Sequence, residues 1–132
     1  GDTVVKMETR TVTVHTKSVY ERPEPGDGRR ILVTRYWPRG VAQSAADEYV
    51  RALGPSVPLL RAYKQGEIDW ETFKVRYLSE MRSEEARGEV HRLAKLARSE
   101  RITVMCVCKH EDQCHRSLLR ALIIGFEEEP EP

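Results

Sequence analysis

Cysteine is scarce in this chain, with three in 132 residues. A small and odd number excludes the paired disulfide framework of a secreted mini-domain. Long apolar runs are missing as well: none approaches the roughly 18 residues that a membrane-spanning helix needs. The opening residues carry no basic segment followed by an apolar stretch, so no secretory signal is expected. Charge of one sign is also lacking. The 22 basic and 21 acidic residues leave a net charge of +1, which gives no global attraction for nucleic acid. Any anion site must therefore be local. There is no glycine-rich phosphate loop and no G-x-S-x-G turn, so no cofactor is expected. Together these absences predict a cytosolic protein.

What is present suits one soluble domain. A chain of 132 residues can bury a core without disulfides or a structural metal. Charged residues make up 33%, above the usual proportion of about a quarter, which predicts a well-solvated surface. Residues 1–10 read as an N-terminal extension, residues 11–126 as a single domain, and residues 127–132 as an acidic, proline-broken, disordered tail.

Within the domain, the β-branched run 11–16 reads as a strand. The segment 21–28 has two prolines and two glycines and reads as a loop. Residues 30–36 read as a second strand that Pro38 ends. Residues 41–48 have helical character, and 49–53 either continue that helix or form a short strand. Residues 59–63 suit a short helical turn. Asp69 and Ser83 are placed to cap two helices. Trp70, Phe73, Tyr77 and Met81 give the first a buried stripe, and Ala86, Val90, Leu93 and Ala97 the second. Residues 102–108 are apolar on both faces, as in a covered central strand, and a closing helix begins near Cys114. Strands alternating with helices predict an α/β fold, a compact domain with a mainly parallel central sheet flanked by helices.

All three cysteines fall between Cys106 and Cys114, where that strand ends and the last helix begins. Ligands of parallel sheets bind beyond the carboxyl ends of the strands. Those ends would gather Lys17, Arg35 and Arg39 with Cys106, Cys108, Cys114, His115 and Arg116. The unpaired N–H groups at the start of the last helix favour an anion there and would acidify a thiol at Cys114. Cys106, Cys114 and His115 are the candidate catalytic groups; Arg35, Arg39, Arg116 and Lys17 are the candidate anion-binding groups. Helical periodicity leans Cys114 and His115 toward the sheet and turns Arg116, with Arg120, toward solvent.

Other chemistries fit less well. A phosphatase-type loop needs a cysteine six positions before an arginine, a spacing absent here. A zinc site would draw on Cys106, Cys108 and Cys114, with His110 and His115 as further donors. It is the lesser reading, because adjacent helical residues diverge by about 100°. A Cys108–Cys114 disulfide would be unusual in a cytosol.

Several blocks taken in order resemble domain-of-unknown-function family 488, in its YeaO-like branch. They are Ser18-Val19-Tyr20, Pro23 to Gly28, residues 30–41 with the distinctive Trp37-Pro38-Arg39-Gly40, Leu53-Gly54-Pro55-Ser56, Leu60-Arg61, and Trp70 with Phe73, Arg76, Tyr77 and Glu80. The closing Cys114-His115-Arg116, with Cys106 eight positions before it, is similar to the wider family's other branch. There a Cys-x-Glu precedes Cys-His-Arg, and this chain has Cys108 at the glutamate position. The resemblance, over about residues 12–126, implies a compact α/β fold and supplies no reaction.

Three functions are consistent with these features. The first is a site for a phosphate-bearing small molecule or nucleotide, open to thiol-based catalysis. The second is a nucleic-acid-binding module using Arg29, Arg30, Arg35 and Arg39. The third is an interaction protein whose cysteines simply pack.

Overall fold

A computed structural model describes the backbone of residues 14–108 and 113–128, with side chains as far as residue 125. The expected extension 1–10, the first residues of the first predicted strand, and His110 lie outside the described residues.

Four parallel strands form one sheet in the order β1-β4-β2-β3. They are β1 Val14–Ser18, β2 Arg29–Leu32, β3 Glu48–Tyr49 and β4 Ile102–Cys106. Every residue of β4 is buried, as its two-faced apolar sequence requires of a central strand. The α/β expectation holds, and every pairing in the sheet is parallel.

The helical reading of residues 41–48 does not hold. A single 3-10 turn at Gln43–Ala45 leads into β3. There Ile31 pairs with Glu48 and Leu32 with Tyr49. The Asp47 amide donates to the Arg30 carbonyl at 2.7 Å, and the Asp47 carboxylate accepts from the Arg30 amide at 2.8 Å. Pairing with the free edge of β2 outweighs the modest helix preference of this stretch.

The helices are α1 Val57–Lys64, α2 Trp70–Glu80, α3 Glu84–Ser99 and α4 His115–Glu128. Ser56, Asp69 and Ser83 cap α1, α2 and α3, each side-chain oxygen accepting from a backbone amide of the first turn. α4 runs two residues past the predicted end of the domain at residue 126.

All four helices contribute to one core. Leu59, Phe73, Tyr77, Leu93, Leu119 and Ile123 pack there against Ile31, Val33, Ile102 and Val104. Side chains alternate across a strand, so Leu32 and Met105 point the other way. They join a smaller cluster with Val19, Trp37 and Tyr49. The sheet therefore has a helical face and a face covered by the irregular segment 37–49.

Candidate functional site

Strand parity decides which side chains can meet. Ile102, Val104 and Cys106 face the helices, and β4 ends at Cys106. α4 begins at His115 on that same side, with Cys114 just before it. Cys114 thus lies outside the helix, and the 100° divergence expected for two helical neighbours does not apply. Cys106, Cys114 and His115 are all buried, and Sγ, Sγ and an imidazole nitrogen lie within 4.8 Å of one another. The expected inward lean of Cys114 and His115 is borne out.

The orientation of Arg116 is a correction. It is only 3% exposed. Its Nη1 donates to the Cys108 carbonyl at 2.8 Å and toward Cys106 Sγ at 3.5 Å. Its Nε is buried and has no partner among the described residues. The first turn of a helix need not follow the solvent face of later turns, and here the Arg116 side chain reaches back to the end of β4. The Cys108 amide also donates to Cys106 Sγ, at 3.3 Å, so two N–H groups converge on one sulfur.

His115 is held in a defined tautomer. Its Nε2 lies 2.7 Å from the Val33 carbonyl. A carbonyl only accepts, so Nε2 carries the proton and Nδ1 presents a lone pair. That Nδ1 lies 3.9 Å from Cys114 Sγ. Burial pushes the imidazolium pKa down, which keeps the ring neutral. The ring packs on Tyr77, centroids 5.4 Å apart, and Tyr77 is anchored by its hydroxyl to the Leu53 carbonyl at 2.8 Å.

The thiols share protons, which reverses the expectation that the helix start acidifies Cys114. Cys114 is pushed up, because it donates its proton to the sulfurs of Cys106 and Cys108 and is buried. Cys106 is raised by donating to Cys108. Cys108 is lowered, by hydrogen bonds from Cys106 and Cys114 and by the charge of Arg116. Cys108 is also the thiol that is not fully buried.

Two of the other predicted cations, Lys17 and Arg35, are committed elsewhere. Lys17 pairs in register with Met105 and so lies on the sheet face opposite Cys106. Its Nζ meets Asp27 at 3.1 Å and Glu24 at 3.3 Å. Arg35 donates to the carbonyls of Gly54 at 2.6 Å and Pro55 at 3.2 Å, bracing the loop ahead of α1. Arg29 pairs with Glu100 and Glu48, and Arg30 with Asp27. Arg39 is exposed. A groove of about 540 Å³ lies apart from the cysteines, lined by Leu78, Met81, Arg82, Val90 and Leu122 among others. It offers no nucleophile. No helix among the described residues is long and apolar enough to cross a membrane.

The chain matches a family model described as "Active DUF488-N3 subclade" over residues 14–125. It belongs to domain-of-unknown-function family 488. Among its relatives in family 488 is the uncharacterized protein YeaO of Escherichia coli. The two are 36% identical over 110 residues, 82% of this chain and 94% of YeaO. The uncharacterized protein Rv3073c of Mycobacterium tuberculosis is 29% identical over 118 residues, 88% of this chain and 98% of the relative. Mb3100c of Mycobacterium bovis matches to the same extent. No solved structure gives a significant match. The whole cluster from Val33 to Arg116 falls inside the span shared with family 488. Two of its parts escape sequence reasoning. The Val33 carbonyl is backbone and has no residue signature. The sequence offers Cys108 only as a metal ligand or a disulfide partner, although its position just past the strand end is what leaves it partly open.

Proposed function

We propose that this family 488 protein binds a small oxyanion-bearing molecule, of phosphate type, at the carboxyl edge of β4 and acts on it through thiol chemistry. The observation that carries this reading is Arg116. A buried guanidinium normally satisfies its donors, yet its Nε, beside the start of a 14-residue helix, has no partner among the described residues. An anion seated there would accept from Nε and from the leading N–H groups of α4. Cys108 is the sulfur a reactant can reach, with Cys106 and Cys114 behind it. Exposed Arg39 stands beyond the end of β2, free to meet a substrate from outside. The word "active" in the description of the matched subclade agrees with a reaction. The basic segment 29–39 offers less to a nucleic acid, since Arg29, Arg30 and Arg35 already serve protein acceptors.

The test is the rate of Cys108 alkylation by iodoacetamide, followed by intact mass and peptide mapping, with and without inorganic phosphate. Phosphate should slow alkylation of the wild type. Arg116→Met should weaken that protection at least tenfold, a change of about 1.4 kcal/mol, and Arg39→Ala should weaken it without disturbing the core. Alkylation indifferent to millimolar phosphate in the wild type would sink the reading.

A further inference from the structure

Two sulfurs and one nitrogen converge beside the end of β4. Cys106 Sγ comes from the end of β4, Cys114 Sγ from the residue before α4, and the His115 nitrogen from its first turn. Three separate backbone directions bring these soft donor atoms within 4.8 Å of one another, all of them buried.

The geometry points to a binding site for one thiophilic metal ion, zinc by preference, held by Cys106 Sγ, Cys114 Sγ and His115 Nδ1. Tetrahedral zinc with Zn–S near 2.3 Å and Zn–N near 2.0 Å sets its ligand atoms about 3.5–3.8 Å apart. The Cys114–His115 pair is already at 3.9 Å, and from the 4.8 Å bound the remaining spacings need to close by at most about 1.3 Å. The outer shell is in place. A ligating histidine usually gives its other N–H to a carbonyl or carboxylate, and His115 Nε2 meets the Val33 carbonyl at 2.7 Å. Thiolate ligands are steadied by N–H donors, and Cys106 has two, from Cys108 and Arg116. Two thiolates balance the charge of a divalent ion. Thiolate and imidazole favour zinc over magnesium or calcium.

Three protein ligands leave a fourth position, the pattern of reactive zinc sites rather than closed structural ones. Cys108 stands outside the set, since its sulfur is not among the donor atoms that all lie within 4.8 Å of one another. Binding replaces the thiol protons of Cys106 and Cys114 with the cation and releases those protons to solvent. The site does not depend on the anion reading, since none of its ligands is Arg116.

The test uses the full chain, reduced and stripped with a chelator, then titrated with cobalt(II) and back-titrated with zinc. We expect one cobalt per chain, a thiolate-to-cobalt charge-transfer band, tetrahedral visible bands, and their loss on one equivalent of zinc. Cys114→Ser and His115→Asn should each lower zinc affinity at least tenfold, while Cys108→Ser should leave it within a few-fold. The wild-type spectrum needs no variant, so a variant that fails to fold does not blunt the test. A cobalt spectrum without the charge-transfer band would overturn the site, as would loss of the band in Cys108→Ser with its retention in Cys114→Ser. A Cys106–Cys114 disulfide that forms in air and persists in millimolar thiol would also overturn it. Phosphate protection measured on the same metal-free protein reports on the anion reading separately.

Discussion

Asp27 is a buried carboxylate, 6% exposed, with two cations on it. Lys17 Nζ reaches its Oδ1 at 3.1 Å, and Arg30 Nη1 reaches its Oδ2. The Glu24 amide also donates to it, at 3.1 Å. Burial alone would raise the carboxyl pKa. The Glu24 amide, Lys17 and Arg30 outweigh that and hold it below the ordinary 3.8. A folded-state pKa below the unfolded one gives stability that is present above about pH 4 and lost as pH falls through the folded value. Asp27→Asn would leave Arg30 without its carboxylate and Lys17 with only the exposed Glu24, and should cost about 3–5 kcal/mol at pH 7. The same variant should flatten the acid limb of stability below pH 4. Urea unfolding at pH 7 and across the acid range measures both, and a variant as acid-sensitive as the wild type would remove Asp27 as the cause. The sequence marks Lys17 as a free cation at a strand end. Its anion is ten residues away in a loop, and with 21 acidic residues in the chain nothing local selects it.

At the scale of elements, the connection into β2 depends on a close backbone approach. Gly28 has φ +67°, and a Cβ there would lie 2.1 Å from the Arg101 carbonyl oxygen. That approach lets the Arg29 amide bond Arg101 at 2.9 Å and sets β2 in register against β4. Gly28→Ala meets backbone rather than a side chain that can rotate away, so a loss of at least about 4 kcal/mol is expected. A shift of under 1 kcal/mol in urea would show that the loop yields. Caps and stripes at Asp69, Ser83, Trp70 to Met81 and Ala86 to Ala97 were legible, because they depend on spacing within one helix. β3 was not, because its two residues are strand only through pairing with Ile31 and Leu32.

Across the whole molecule, Tyr77 ties the helical layer to the site. It is fully buried, donates to the Leu53 carbonyl at 2.8 Å, and packs on Phe73 and His115. Tyr77→Phe keeps the ring but leaves the Leu53 carbonyl unpaired in the core, which should cost about 1–3 kcal/mol. Calorimetry should find this as a lower Tm with one cooperative transition; an unchanged Tm would mean another donor reaches Leu53. The link joins α2, the loop before α1 and the start of α4, and so supports the ring of His115 from behind.

The sequence by itself determined the α/β class, the central position of β4, the caps at Asp69 and Ser83, and the gathering of cysteine, histidine and arginine between Cys106 and Arg116. These follow from apolar periodicity and from residue chemistry confined to short stretches. Only the tertiary structure decided which groups the site keeps. Strand parity sent Lys17 to the opposite face, the loop before α1 took Arg35, and the Cys108 carbonyl and Cys106 sulfur drew Arg116 inward. The Val33 carbonyl fixed the tautomer of His115. Each of these depends on a partner distant in sequence, often a backbone atom, and a backbone carbonyl is the same in every residue until the fold gives it a neighbour.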